Sequence, residues 1–224
     1  MQKLILVALL GGASFGAHAQ TALKAGTILL GGSVGYSRTS QEAPTYYNAP
    51  NGYLIYTKVT DTNSQFTVSP SIGIFVADNL AVGINGTYQV SHNNTNYSAF
   101  YTPSEYKTRL LQVGPFVQYY QMLTEHFGFT GTLGAGYQYS SNPYGYRNST
   151  GSSAKGAYAG LTPGVVFFPI PKLSIGAAIG GIRYSYLVNN NDDGNGLDDY
   201  KSTSFGADFG LDQLTFSGTY YFGR

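Results

Sequence analysis

Phe66-Thr67-Val68-Ser69-Pro70-Ser71-Ile72-Gly73-Ile74-Phe75-Val76-Ala77-Asp78-Asn79-Leu80-Ala81-Val82-Gly83 is the stretch on which the fold turns. Its residues alternate with period two. Phe66, Val68, Pro70, Ile72 and Ile74 fall on one face, and Thr67, Ser69, Ser71 and Gly73 on the other. Ala77, Asp78 and Asn79 make a short turn before the alternation resumes. The same phrase, a proline five residues ahead of a closing aromatic, returns at Pro115 and Tyr120 and at Pro163 and Phe168. The prolines stand about 45 residues apart, so the repeated unit is of hairpin size.

The contrast between the two faces decides which way the sheet looks. A barrel in water hides its apolar face and studs the other with charge. Here only 10% of residues are charged, and nearly all of these fall at strand ends or in loops. The apolar face therefore looks at lipid. In hydrocarbon every backbone N–H and C=O needs a partner inside the protein, so period-two segments cross a membrane only as a closed barrel.

The 224 residues hold 30 Gly, 21 Tyr and 13 Phe, no Cys and no Trp, at net charge +1. Glycine and aromatic enrichment suits an all-β barrel. The near-neutral charge argues against nucleic acid as a partner, and the absence of Cys excludes disulfides and thiolate metal sites. Lys3, an apolar run over 4–10 and the small-residue site Ala17, His18, Ala19 read as a secretory signal peptide, residues 1–19, cleaved before Gln20. Its apolar part is far shorter than the ~20 residues of a membrane-spanning helix. Residues 20–224 form one domain.

Eight alternating segments predict an eight-stranded antiparallel up-and-down transmembrane β-barrel: 27–37, 65–76, 80–91, 107–120, 127–140, 155–168, 173–184 and 205–222. Short turns at 77–79, 121–126 and 169–172 alternate with long polar connections, the pattern of periplasmic turns and extracellular loops. On this parity the outward residues include Ile28, Leu30, Val34, Tyr36, Leu111, Val113, Val117 and Leu133. Tyr36, Tyr88 and Tyr137 form one aromatic girdle, and Tyr119, Phe127, Phe167 and Tyr220 the other. Phe75, Tyr120, Phe168 and Tyr221 converge inward at the turn side as a periplasmic plug. Toward the loops the inward Gly35, Gly134, Gly136, Gly160 and Gly180 leave a cavity open outward. In the last strand Asp208 and Asp212 share the outward parity of Leu214 and Phe216, so that strand either projects beyond the membrane or carries a bulge. The prolines within strands mark bulges or local breaks in the ladder.

The chain ends on Leu214, Phe216, Gly218, Tyr220 and Phe222, followed by Gly223 and Arg224. With the signal peptide, the proline-to-aromatic strands and the turn around Asp78 and Asn79, this ending resembles the small porin-like, OmpA/OmpX-type family of eight-stranded outer-membrane barrels. The resemblance covers essentially the mature chain. It implies residence in the outer membrane and assembly by the barrel-assembly machinery, with Tyr220 and Phe222 as the assembly signal. The departure is Gly223 and Arg224, since the family usually stops on Phe. Such barrels host adhesion, structural, enzymatic and transport roles, so the resemblance does not fix an activity.

Few residues offer chemistry. Ser91 and His92, with Glu105 near the same loop, invite a lipid-hydrolase reading, but neighbours on a strand point to opposite faces and cannot act as nucleophile and base. His126 falls in a turn and is expected to be solvated. Asn189, Asn191, Asp193 and Gly194, followed by Asp198 and Asp199, match the opening of a Ca²⁺ loop, yet Tyr200 stands where the bidentate Glu is needed. Turn chemistry accounts for the same residues. Arg38, Lys107, Arg109, Lys155 and Arg183 have lipid-facing parity at the loop ends of their strands, where they could meet lipopolysaccharide phosphates or simply snorkel. No catalytic residue, metal site or cofactor is expected. The leading role is envelope structure or adhesion through Tyr-rich external loops that bind an extracellular ligand. A narrow porin or small-ligand-holding barrel comes second, and an envelope lipid-modifying enzyme third.

Overall fold

The computed structural model describes residues 23–48, 52–97, 104–142, 152–190 and 200–223. The expected signal peptide lies outside the described residues. So do residues 191–199 of the Ca²⁺-like loop. Eight strands follow in order: β1 (Ile28–Asn48), β2 (Leu54–Ala77), β3 (Leu80–Tyr97), β4 (Ser104–Met122), β5 (Phe127–Asn142), β6 (Ser152–Ile170), β7 (Leu173–Asn190) and β8 (Tyr200–Phe222). Each pairs antiparallel with its sequence neighbour, and β1 closes the ring on β8.

The strands are longer than the alternation predicts, because ladders continue into what read as loops. Thr, Tyr and Val suit strands, and β1 and β2 stay in register from Ile28↔Ile74 to Asn48↔Leu54. Lys58 bonds Glu42 at 2.6 Å, and the Tyr46 and Tyr56 rings meet edge-on at 5.7 Å. With ~9–11 residues needed per crossing, strands of 16 to 24 residues stand well clear of a bilayer at their loop ends.

The outward face is apolar, as expected. Leu30, Ile72, Ile84, Leu111, Leu133 and Phe216 are all exposed, and an apolar belt of this extent is tolerated by lipid and not by water. Tyr220 and Phe222 stack edge-on at 4.8 Å, while Phe127 and Phe129 do so at 5.9 Å. These rings form the turn-side girdle.

Two of the three strand prolines are local breaks. At Pro70 and Pro115 the β2–β3 and β4–β5 ladders skip two positions and resume in unchanged register. The third stands opposite a bulge. Between the pairs Leu161↔Ile182 and Gly164↔Ala178, three residues of β7 face two of β6, Thr162 and Pro163. The extra residue is at Gly180, which has φ +94°, and a Cβ there would collide with the Asp208 carbonyl oxygen. Only glycine satisfies both conditions.

On the other side of β7, Ile179 pairs Leu214 and Gly180 pairs Phe209, so residues 210–213 loop out of β8. Both explanations left open for Asp208 and Asp212 therefore hold: the strand bulges and changes parity above 210–213, and both residues stand beyond the part of β8 paired with β1. Asp208 now pairs Gly181, while Phe205 and Phe209 are exposed. The same excursion carries β8 off β1. Their ladder stops at Gly35↔Thr215 after eight pairs, about one membrane crossing.

Replacing Gly180 by Val should therefore cost several kcal/mol, summing backbone strain of ~1–3 kcal/mol with the steric collision. The heat-modifiable gel band of folded barrel should fall sharply. Undiminished yield of Gly180→Val would mean that the bulge relocates freely.

Candidate functional site

The turn end is sealed. Phe75, Tyr120, Phe168 and Tyr221 are all buried, with centroids 5.4 Å apart for Phe75 and Tyr120, 6.2 Å for Phe75 and Tyr221, 6.4 Å for Tyr120 and Tyr221, and 5.3 Å for Phe168 and Tyr221. Their polar tips are satisfied within the plug. The Tyr120 and Tyr221 hydroxyls lie 3.2 Å apart, Tyr221 reaches Ser174 Oγ at 2.9 Å, and Tyr120 donates to Gln118 Oε1 at 3.0 Å.

Beneath the rings, residues the alternation did not single out complete the seal. Leu23 is 0% exposed, and its segment is pinned across the opening. Leu23 N–H donates to Asn79 Oδ1 at 2.9 Å, Asn79 N–H returns a bond to the Leu23 carbonyl at 2.8 Å, and Gly26 N–H bonds the Phe75 carbonyl at 2.8 Å. Asn79 holds the left-handed φ of 62° that places its side chain for this.

Above the plug lies a cavity of about 370 Å³, floored by Leu29 and Phe116. The Phe116 ring rests on Gly73 and Gly83, where a Cβ would come within 3.3 and 2.7 Å of it. The walls are amides and hydroxyls, among them Gln65, Gln89, Gln112, Thr130, Thr162 and Ser217. Gln138, on β5, ties its strand to three others, β4, β6 and β7. Its Nε2 donates to Ser185 Oγ at 2.5 Å and to the Ala157 carbonyl at 3.0 Å, while its Oε1 accepts from Gln112 Nε2 at 3.1 Å. Of the glycines expected to leave room, Gly35, Gly134, Gly160 and Gly180 line this cavity; Gly136 instead packs against the backbone of Val113 and Gly114. Ser37, Gln65, Asp212 and Gln213 also line a second, polar cavity of about 520 Å³ toward the loop end.

Among the five basic residues read as a lipid-facing rim, four keep the outward side. Arg38, Arg109 and Lys155 are exposed, and Lys107 is half-buried beside His92. The expectation for Arg183 is corrected. The bulge at Gly180 reverses the parity of β7 above it, so Arg183 pairs the inward Gly160 and lines the cavity. Ser185, two residues on, confirms the side by accepting from the buried Gln138.

Ser91 and His92 diverge as strand geometry requires. Ser91 accepts from Gln89 Nε2 at 3.5 Å, whereas His92 pairs with Glu105. His126 is exposed, and its Nδ1 donates to the Phe168 carbonyl at 3.0 Å. No group of three or more His, Cys, Asp or Glu side chains suited to a metal occurs among the described residues.

No protein-family model matches the chain, and no curated protein matches it. Among solved structures, it is similar to the outer membrane protein OprG from Pseudomonas aeruginosa at 15% identity and a TM-score of 0.49, covering 90% of this chain and 98% of that one. It is also similar to Ail, the attachment invasion locus protein of Yersinia pestis, at 16% identity and a TM-score of 0.35, covering 88% and 99%. The outer membrane protease OmpT from Escherichia coli follows at 9% identity and a TM-score of 0.36, covering 92% and 97%. Likeness at this level selects no activity. By its own strand order, closure and apolar exterior, the chain is an eight-stranded antiparallel up-and-down transmembrane barrel.

Proposed function

We propose that this protein is a non-enzymatic surface-binding barrel of the bacterial outer membrane that holds a small polar solute in its outward cavity. It does not pass that solute inward. The observation that carries this reading is the cavity of about 370 Å³ standing over a four-ring plug. That volume lies at the small end of the ~300–1,000 Å³ typical of ligand pockets. Amides and hydroxyls on its walls both donate and accept, which suits a hydroxylated solute.

The outward Arg38, Lys107, Arg109 and Lys155 reach lipopolysaccharide phosphates from the loop ends of the strands. Export by a cleaved signal peptide and insertion by the barrel-assembly machinery complete the reading. Adhesion through the loop end is a second reading, favoured by the exposed Tyr46 and Tyr56 on strands that continue past the membrane and by the exposed Tyr53 between those strands. Aromatic, amphipathic side chains of this kind supply contact area at low entropic cost.

The test of the first reading combines two measurements on the mature barrel. Glucose titrated onto protein in detergent micelles should give saturable amide shifts at Gly134, Gly160 and Gln138. The same barrel in liposomes should give no swelling with that sugar. Swelling at a rate proportional to protein would convert the reading to a pore, and shifts confined to the loops would leave adhesion as the function.

A further inference from the structure

Arg183 is a charge in an unexpected place. An unbroken β7 would carry it on the odd-numbered side with Leu173, Ile175 and Ile179, toward lipid. Gly180, at φ +94°, inserts one residue and turns it into the barrel. The glycine pair is fitted to this task, because a Cβ on Gly181 would strike the Leu161 carbonyl just as one on Gly180 would strike Asp208. Gly160 is the partner of Arg183 on β6. The Arg183 side chain crosses it, with Cγ 3.9 Å from where a Gly160 Cβ would stand, an ordinary contact distance.

The surroundings leave this guanidinium unanswered. No ion pair joins it among the described residues, although Asp208, its diagonal neighbour on β8, shares its side of the sheet. Every other residue lining the cavity is uncharged except Asp212. Asp212 sits in the looped-out segment and lines both the cavity and the mouth, whereas Arg183 lines the cavity alone. A second polar atom also lacks a partner. Asn85 Oδ1 is buried with no hydrogen bond among the described residues, and Asn85 lines the same cavity from β3, across the ring from β7. A buried acceptor left open costs free energy and calls for a donor.

Resting on the ligand-holding reading above, we propose that the solute is a small hydroxylated anion, of sugar-acid type, whose carboxylate is bound by Arg183. A guanidinium presents its N–H groups in a planar fork that matches a carboxylate, and charge-assisted bonds of this kind are roughly twice as strong as neutral ones. The hydroxyls of such a solute supply the donor that Asn85 Oδ1 lacks and meet the Gln and Thr side chains of the wall. A neutral sugar satisfies the wall but not Arg183. The preference for the anion is therefore the signature of this residue.

Glucuronate and glucose, matched in ring and size, are the probes, titrated separately onto the mature barrel in micelles and followed at the amides of Gly160, Gly181 and Gln138. Wild type should bind glucuronate at least tenfold more tightly than glucose. Arg183→Gln should bring glucuronate down to the level of glucose, Arg183→Lys should fall between, and Lys172→Gln, which removes the same charge at the turn end, should change nothing. Retained heat-modifiable mobility establishes that each variant is folded. Equal affinities in wild type, or an unchanged preference in Arg183→Gln, would overturn the assignment of Arg183 while leaving a neutral-solute cavity standing. Absence of saturable lumen shifts with either sugar would overturn both this inference and the ligand-holding function.

Discussion

Purified wild-type barrel in a planar bilayer is expected to give no steady single-channel conductance, and the triple change of Phe75, Tyr120 and Phe168 to Ala is expected to open one. An eight-stranded barrel encloses only room enough for side chains to fill it. At the turn end these three rings fill it together with Tyr221, with neighbouring centroids 5.3 to 6.4 Å apart, a spacing that leaves no water-wide path. Each buried aromatic cut to Ala costs ~3–5 kcal/mol, so the triple variant should also lose its heat-resistant gel mobility at a lower temperature. The single change Phe75→Ala keeps the prediction testable if the triple variant does not assemble. It should give brief, small openings. Steady conductance from wild type would show that the plug moves aside, and a silent, folded triple variant would place the barrier in Leu23 and the segment beneath.

The second large effect concerns the closing strand. Deleting residues 220–224 should nearly abolish assembled barrel, whereas deleting Gly223 and Arg224 should leave most of it. The five-residue deletion removes the Leu30↔Tyr220, Leu29↔Tyr221 and Ile28↔Phe222 pairs that close the ring on β1, and it removes the Leu173↔Tyr220 pair to β7. It also takes away Tyr221, which touches both Tyr120 and Phe168. Gly223 has nothing within 4 Å of where a Cβ would stand. Phe222→Ala separates recognition from packing, since Phe222 is half exposed on the lipid side. Its yield should fall while the melting of whatever assembles changes little. Equal yields from the two deletions would remove Tyr220 and Phe222 as the assembly signal.

Strand number, antiparallel order and the inward position of the plug were all legible in the chain. Period two fixes sidedness locally: each residue's face follows from its neighbour's, whatever the rest of the molecule does. Sidedness follows this rule wherever the register is unshifted, from Phe66 to Phe75 and from Phe127 to Tyr139, even past the breaks at Pro70 and Pro115. The rule fails where one residue is inserted. Beyond Gly180 every assignment on β7 was reversed, taking Arg183 from the rim to the lumen. A glycine in a run that also holds Gly176 and Gly181 carries no local mark of which one takes the positive φ. Strand lengths were underread for a related reason, since Thr39, Ser40, Thr60 and Thr62 alternate nothing and join the ladder only because a partner strand is already beside them.

The sequence by itself determined a closed barrel with an apolar exterior, because an uncharged, alternating strand has no other way to satisfy its backbone in lipid. It also determined which end is stoppered, because four aromatics recur at the inward position before each turn-side end. Tertiary structure alone decided what the lumen contains. Leu23 reaches the plug only through its bonds to Asn79. Phe116 becomes a floor only because Gly73 and Gly83 from two other strands lie under it. Arg183 enters the cavity only because β6 and β8 hold registers on either side of β7 that differ by one inserted residue and by four. Such offsets belong to pairs of strands, and no single strand records them.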